Sequence, residues 1–254
     1  MLPAIELTGV RTRLGGTLIH DGIDLAVWHG EVFGIAGPSG CGKSTLLKEM
    51  LMLQRPDAGR IRILGVDLME LDEGKAQALR RRCGVMFQGG ALFTGLTVLE
   101  NVALPLREHT TLSPREIEEL SRIKIALADL PPDTVHKYPR ELSGGLRKRA
   151  ALARAIALDP ELLFLDEPSA GLDPLAASAL DELILGLKAA LKLTIIVVTH
   201  DLDLLWHVTD RVAMLGERRV VGLGTMAELA RSTHPGLWPY FHGPRGRAVW
   251  PGEN

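Results

Sequence analysis

Apolar and polar residues alternate at the start of the chain. Ile5 and Leu7, then Ile19, Ile23, Leu25 and Val27, interleave with polar positions and predict β structure. Val32 to Ala36 is a short apolar run that ends in a glycine-rich stretch, followed by an apolar-periodic helix over Ser44 to Leu53. Arg60 to Leu64 alternates again, flanked by Gly59 and Gly65. Val85 to Phe87, Leu162 to Leu165 and Thr194 to Val198 are buried-strand candidates. Pro174 to Leu193 is long and amphipathic, the pattern of a crossover helix for a parallel sheet. From Gly89 to Asp159 the pattern changes. Its periodic segments, Thr97 to Leu106, Ser113 to Leu127 and Gly144 to Leu158, are helical, with no clear strand between them. The chain therefore reads as an α/β core with a helical insertion.

Composition narrows the classes. With 254 residues, 46% hydrophobic and 24% charged, a sizeable core is expected. The 29 basic and 31 acidic residues nearly balance, which gives no electrostatic reason to expect a nucleic-acid partner. Cys41 and Cys83 are too few for a disulfide framework and fit a reducing compartment. The N-terminus has no basic flank and no apolar run of the secretory kind. Ala176 to Val198 carries Asp181, Glu182, Lys188 and Lys192, too many charges for a membrane span. A soluble, cytoplasmic protein is expected, with any membrane role supplied through a partner. The tail from His234 to Asn254 holds four prolines and four glycines, with Trp238, Tyr240, Phe241 and Trp250 as candidate exposed aromatics. Such a tail is expected either to be disordered or to staple onto a partner surface.

Gly37-Pro38-Ser39-Gly40-Cys41-Gly42-Lys43-Ser44-Thr45 fits G-x-x-x-x-G-K-[ST] between a predicted strand and a predicted helix. The glycines let backbone N–H groups turn inward onto phosphate oxygens, and the helix dipole adds about half a positive charge. Lys43 is placed to reach the β- and γ-phosphates, and Ser44 to ligate Mg²⁺. Cys41 reads as a small filler rather than a redox centre. Asp166 and Glu167 follow the apolar run Leu162 to Leu165. Asp166 is expected to hold Mg²⁺ through its waters, and Glu167 to polarise the attacking water.

The remaining motifs carry a resemblance. Leu142-Ser143-Gly144-Gly145-Leu146 opens an Arg-rich helix; Gln88 ends a buried strand; Ser169 to Pro174 reads Ser-Ala-Gly-Leu-Asp-Pro; and His200 follows Val197-Val198-Thr199. Together with the glycine loop and the paired carboxylates, these resemble the ATP-binding-cassette (ABC) ATPases over about residues 5 to 225. The resemblance implies a P-loop NTPase core with a mostly parallel sheet, an N-terminal antiparallel β subdomain and an inserted α-helical subdomain. Residues 1–88 and 159–233 are then the RecA-like ATP-binding core, 89–158 the helical signature subdomain, and 234–254 a tail for subunit or partner contact. It implies a homodimer in which Ser143, Gly144 and Gly145 cap the ATP held by the opposite subunit, with Asp173 at the seam. It also implies that Gln88 contacts Mg²⁺ or the water, and that His200 bonds the γ-phosphate and orients the water with Glu167.

Two positions depart from the family. Leu146 stands where glutamine is common, and no adenine-stacking aromatic is found near Arg13-Leu14. Base stacking is then expected either to be weaker or to be supplied by Arg13 as a guanidinium plane. A narrower resemblance lies in Phe87-Gln88-Gly89-Gly90-Ala91-Leu92-Phe93 and Asn101-Val102-Ala103-Leu104-Pro105-Leu106-Arg107-Glu108-His109-Thr110. This is similar to the ATPases of Mla-type phospholipid-transport systems, which implies an integral membrane permease, MCE-domain and STAS-domain partners, and a place on the cytoplasmic face of the inner membrane. The ATPase of a solute importer, for amino acids or ions, is the alternative with the same catalytic motifs. A nucleic-acid-directed ABC ATPase would need coiled-coil, zinc or tandem-cassette features that this sequence lacks. The missing base-stacking aromatic predicts loose discrimination between ATP and GTP. In a competition assay GTP should displace ATP at comparable concentration, and strong selectivity for ATP would contradict this reading.

Overall fold

The structure, a computed structural model, describes residues 2–242. In chain order, β1 (Ile5–Leu14) and β2 (Thr17–Val27) are followed by β3 (Val32–Ala36), α1 (Lys43–Met50), β4 (Ala58–Ile63) and β5 (Val66–Asp67). Next come α2 (Glu73–Arg81), β6 (Cys83–Met86), α3 (Val98–His109), α4 (Pro114–Leu127) and α5 (Gly144–Ala155). Then follow β7 (Leu162–Asp166), α6 (Pro174–Leu191), β8 (Thr194–Val198) and α7 (Leu202–Val208). The last elements are β9 (Arg211–Gly216), β10 (Arg219–Gly224), α8 (Met226–Ala230) and α9 (Trp238–His242). No helix among the described residues is long and apolar enough to cross a membrane. The chain forms two compact units, one running up to Ala76 and resuming at Ile196, the other spanning Gln77–Ile195.

The first unit contains an antiparallel sheet in the order β2-β1-β4-β5. Ile5 pairs with Val27 and Ile63, and Leu7 with Leu25 and Ile61, so the apolar positions share a buried face. β3 is buried at every residue and pairs in parallel with β9, which pairs antiparallel with β10. This unit has a second core of Ala36, Leu202, Leu205, Val212, Met214, Met226, Leu229, Leu237 and Phe241. Leu237 and Phe241 correct the reading of the tail as a set of exposed aromatics. Trp238 is 51% exposed, but Phe241 is only 2% exposed and packs with Leu237 into its own unit. A one-turn helix places residues three or four apart on one face, so Leu237 and Phe241 turn inward together. Trp250 lies outside the described residues.

In the second unit β6 pairs in parallel with β7. Helices α3, α4 and α5 pack around Val98, Val102, Leu106, Ile117, Ile125, Ala150 and Ala153. Thr97 and Ser113 begin α3 and α4 with capping boxes, in which Glu100 and Glu116 return to the cap N–H groups. Those bonds hold both carboxylates below the usual glutamate range. Several helices end earlier than their periodicity implies. α1 stops at Met50, with Met52 left-handed at φ 59°, and α6 stops at Leu191 because Lys192 turns left-handed at φ 54°. Gly84 in β6 has no room for a side chain, since a Cβ there would collide with the Ala155 carbonyl at the end of α5.

Burial pushes the Cys83 thiol in β6 up to about 12 from 9.0. Between those values the native state keeps a proton that the unfolded chain releases, so stability falls as pH rises through this window. Between pH 8 and pH 10 this single group should remove about 1.4 kcal/mol, measured by urea unfolding. Cys83→Ala should remove that part of the alkaline loss, and an unchanged pH slope would contradict it.

Candidate functional site

In the first unit, the turn from β3 into α1 is built on glycines in conformations that other residues avoid. Gly37, Gly40 and Gly42 have φ of 145°, 79° and 102°. A side chain on Gly37 would collide with the Leu215 carbonyl. Cys41 fills the turn with its sulfur directed at Gly37, and its half-buried thiol is pushed up by burial, against the nearby Lys43 ammonium. Lys43 is buried and folds back along the loop, donating from Nζ to the Gly37 carbonyl at 2.8 Å and the Pro38 carbonyl at 3.0 Å. Ser39, Gly40 and Ser44 are exposed, and Thr45 is half-buried. Gly42 caps α1 with no side-chain bond, and the first turn has no acidic residue. The result is a helix start with a lysine and with no side-chain cap on its N–H groups, the arrangement that accepts phosphate.

His200, also in this unit, is exposed at the end of β8. The residues around it are fixed at both sides. The Thr199 N–H donates to the Ile35 carbonyl at 3.1 Å, and Asp201 caps α7 by accepting from the N–H groups of Asp203 and Leu204. Tyr240 Oη donates to the His200 carbonyl at 3.3 Å.

The other candidates lie in the second unit. Asp166 ends β7 and Glu167 follows it, both half-buried. Glu167 takes φ 47°, a left-handed conformation that costs a residue with a Cβ about 1–3 kcal/mol. Gln88 is exposed in the turn after β6. Lys148 on α5 joins the two: its buried ammonium donates to the Gln88 carbonyl at 2.6 Å and the Glu167 carbonyl at 3.0 Å. Burial pushes Lys148 below the ordinary lysine range, partly offset by the charges of Asp166 and Glu167.

Ser143 caps α5 by accepting from the Leu146 N–H, and Gly144 and Gly145 form its first turn. A Cβ at either glycine would meet only ordinary contacts at 3.6 Å, with Leu172 and Ala176. The fold itself therefore does not demand glycine at these positions. Asp173 has a local task, capping α6 through a 3.0 Å bond from the Ala176 N–H. Lys148 was missed from the sequence, because its role depends on two backbone carbonyls remote along the chain.

The segment after Gln88 is held equally firmly. Asn101 on α3 is fully buried, with its amide nitrogen 3.1, 3.0 and 2.9 Å from the carbonyls of Phe93, Leu96 and Thr97. Its amide oxygen accepts from the Phe93 N–H at 2.8 Å. Arg154 on α5 donates to the carbonyls of Ala91 and Gly90 at 2.7 and 2.9 Å. Phe93, on this braced segment, is 54% exposed.

Across residues 20–170, the sequence matches the profile of the ABC transporter family. The chain belongs to that family. As an ABC ATPase it hydrolyses ATP, and its strands and helices form the expected α/β cassette with an N-terminal antiparallel sheet. It is 39% identical over 95% of its length to a probable ribonucleotide transport ATP-binding protein of Mycobacterium tuberculosis (strain ATCC 25618 / H37Rv), covering 67% of that protein. It is 40% identical to the intermembrane phospholipid transport system ATP-binding protein MlaF of Haemophilus influenzae, over 90% of this chain and 86% of that one. Among solved structures, a dimeric ATP-binding cassette in a post-hydrolysis state with ADP and phosphate superposes with a TM-score of 0.80. It is 30% identical and covers 87% of this chain, 98% of the other.

In this cassette, Lys148→Met removes the bonds that join the Gln88 and Glu167 carbonyls and releases the turn bearing Gln88 from the backbone of Glu167. ATP turnover should drop by about tenfold or more, because small displacements of reacting groups are costly. Nucleotide affinity, read by fluorescent ATP titration, should change less than about twofold, since the phosphate loop is untouched. Unchanged turnover would remove the positioning role of Lys148.

Proposed function

We propose that this chain is the ATPase subunit of a transporter that moves phospholipid between membranes. The observation that carries the reading is its 40% identity to an ATP-binding protein named for intermembrane phospholipid transport, across nearly the whole of both chains. The mycobacterial relative is named for probable ribonucleotide transport, which makes ribonucleotide the competing cargo. The braced segment after Gln88 supports a permease-facing role. Asn101 and Arg154 hydrogen-bond the backbone of a loop that projects Phe93, an aromatic suited to a partner surface. None of these relatives' names favours an importer of amino acids or ions.

The cassette works as a homodimer, in keeping with the dimeric cassette it resembles at 30% identity. Residues 37–45 hold the triphosphate: Gly37, Ser39, Gly40, Cys41, Gly42, Ser44 and Thr45 through the loop and helix start, Lys43 through its ammonium. On binding, the Lys43 ammonium exchanges its loop carbonyls for phosphate oxygens. Ser143, Gly144 and Gly145 of one subunit cap the nucleotide of the other. The chain's own packing leaves room at both glycines, and the close approach of an external phosphate gives them a use. Asp173 lies at the seam. Ser44, Asp166 and Gln88 offer hydroxyl, carboxylate and amide oxygens, the hard donors that Mg²⁺ takes alongside water. Bound Mg²⁺ would neutralise charge on the phosphoryl oxygens.

Glu167 accepts the proton of the attacking water, a contribution of about 10²- to 10⁴-fold. His200 and Gln88 orient that water and the γ-phosphoryl group. This chemistry depends on placement and charge neutralisation more than on covalent steps. Residues 1–88 and 159–233 act as the ATP-binding core, 89–158 as the helical subdomain, and 234–254 as a tail that contacts a neighbouring subunit or partner. The protein sits on the cytoplasmic face of the inner membrane through its permease, together with MCE-domain and STAS-domain proteins.

Affinity purification from detergent-solubilised membranes, with proteins and lipids identified by mass spectrometry, tests the role. A permease with an MCE-domain protein and enriched phospholipid is the expected outcome. A permease without lipid, together with ribonucleotide-stimulated ATPase activity, would overturn the phospholipid reading. Glu167→Gln should retain ATP binding and dimerise with ATP while losing turnover by about 10²-fold or more. Near-normal turnover would reassign the base.

A further inference from the structure

Beneath the phosphate loop, in the first unit, a polar cluster interrupts an apolar interface. The inward face of β1 and β2 is aliphatic at Ile5, Leu7, Val10, Ile23, Leu25 and Val27. Thr12 and His20 break the pattern; they are directly paired across the two strands and are 1% and 0% exposed. Glu49, on α1, reaches the same point and is 1% exposed. Thr12 Oγ1 donates to Glu49 Oε1 at 2.5 Å. His20 Nδ1 lies 3.3 Å from Thr12 Oγ1 and 3.5 Å from Glu49 Oε2. Burying three polar side chains in place of aliphatic ones costs stability unless they are mutually satisfied. The cluster therefore needs a reason.

The other ring nitrogen provides one. His20 Nε2 lies 3.2 Å from the Gly42 carbonyl, an acceptor only, so this nitrogen carries the hydrogen and donates it. The Gly42 carbonyl also accepts the first helical bond of α1, from the Leu46 N–H at 2.9 Å. The peptide between Gly42 and Lys43 is planar, so fixing its carbonyl direction fixes the opposite direction of the Lys43 N–H. That N–H is among those a helix start leaves for a ligand. A side chain on Gly42 would collide with the His20 ring. The ring is thus seated against the loop backbone with no space for an intervening residue.

Resting on the reading of residues 37–45 as the phosphate loop, we propose that His20 is a positioning residue for nucleotide binding. It is held by Thr12 and Glu49, and through the Gly42 carbonyl it aims the Lys43 N–H at the bound phosphates. It touches no substrate itself. Its effect falls on ground-state affinity for ATP rather than on the hydrolytic step, which belongs to residues elsewhere in the chain.

The test uses the full chain, with ATP affinity from titration of a fluorescent ATP analogue and turnover from steady-state assays. His20→Phe keeps the ring volume and removes the donor, and should weaken ATP binding and raise KM by about fivefold to tenfold, with kcat changed less than about twofold. His20→Gln, which offers an N–H at the position of Nε2, should restore affinity to within about twofold of wild type. Equal weakening in both variants would reduce His20 to a packing residue, and wild-type affinity in folded His20→Phe would overturn the proposal outright. A second readout needs no variant. In the ¹⁵N spectrum of labelled wild-type protein, His20 should carry hydrogen on Nε2, and its signal should shift when ADP binds. A ring bearing hydrogen on Nδ1 alone, or a signal indifferent to ADP, would also overturn it. Lys43→Ala separates the two levels of the argument. Loss of ATP binding in Lys43→Ala with normal binding in His20→Phe refutes only the role of His20; retained binding in Lys43→Ala refutes the phosphate-loop reading beneath it.

Discussion

The N–H groups at the start of a helix must find acceptors, and the way each helix meets that demand organises this molecule. Thr97, Ser113, Asp173, Asp201 and Thr225 answer it with their own side chains, which closes those ends. α1 begins at a glycine with no side-chain cap and no acidic residue in its first turn. Everything around it follows from keeping that end open. The loop must curl at Gly37, Gly40 and Gly42, β3 must be buried to anchor it, and Lys43 must fold onto loop carbonyls. α5 is an intermediate case, since Ser143 caps it while Gly144 and Gly145 keep its approach slim.

The second organising device is the use of buried cations and amides to hold irregular backbone. Turns carry carbonyls that neither helix nor sheet satisfies, and an unpaired buried carbonyl is costly. Lys148 answers for Gln88 and Glu167, Arg154 for Gly90 and Ala91, and Asn101 for Phe93 and Leu96. The irregular segments are therefore fixed in shape while Gln88 and Phe93 stay exposed. Glu167 keeps its left-handed backbone because the Lys148 bond and the Ala170 N–H both hold its carbonyl.

Much of this was legible in the sequence, for identifiable reasons. Val32 to Ala36 and Thr194 to Val198 form strands with the expected limits, since continuous apolar runs next to glycine or polar residues leave little choice. The glycine loop was legible because its glycines serve local backbone geometry. β9 and β10 were not anticipated, and neither was the inward turn of Phe241, whose partners Leu202 and Met226 are distant in sequence. Lys148 among arginines on α5, and His20 on a β-strand, look like ordinary polar residues until their acceptors are located. Those acceptors are main-chain carbonyls, which no side-chain pattern reports. The pairing of Thr12 with His20 depends on β1–β2 register, interrupted by irregularities on either side.

One helix has a double attachment. The N-terminus of α5 presents Ser143 and the two glycines, while one turn further along Lys148 grips the backbone of Glu167 and of Gln88. In the proposed sandwich the first feature senses the neighbour's nucleotide and the second holds the home subunit's own base. A single helical turn is stiff, so a displacement at the cap arrives at Lys148 with little loss. Each α5 is then a connecting rod between two fuel chambers. Two subunits carrying two such rods would keep the chambers in step without either nucleotide touching the other.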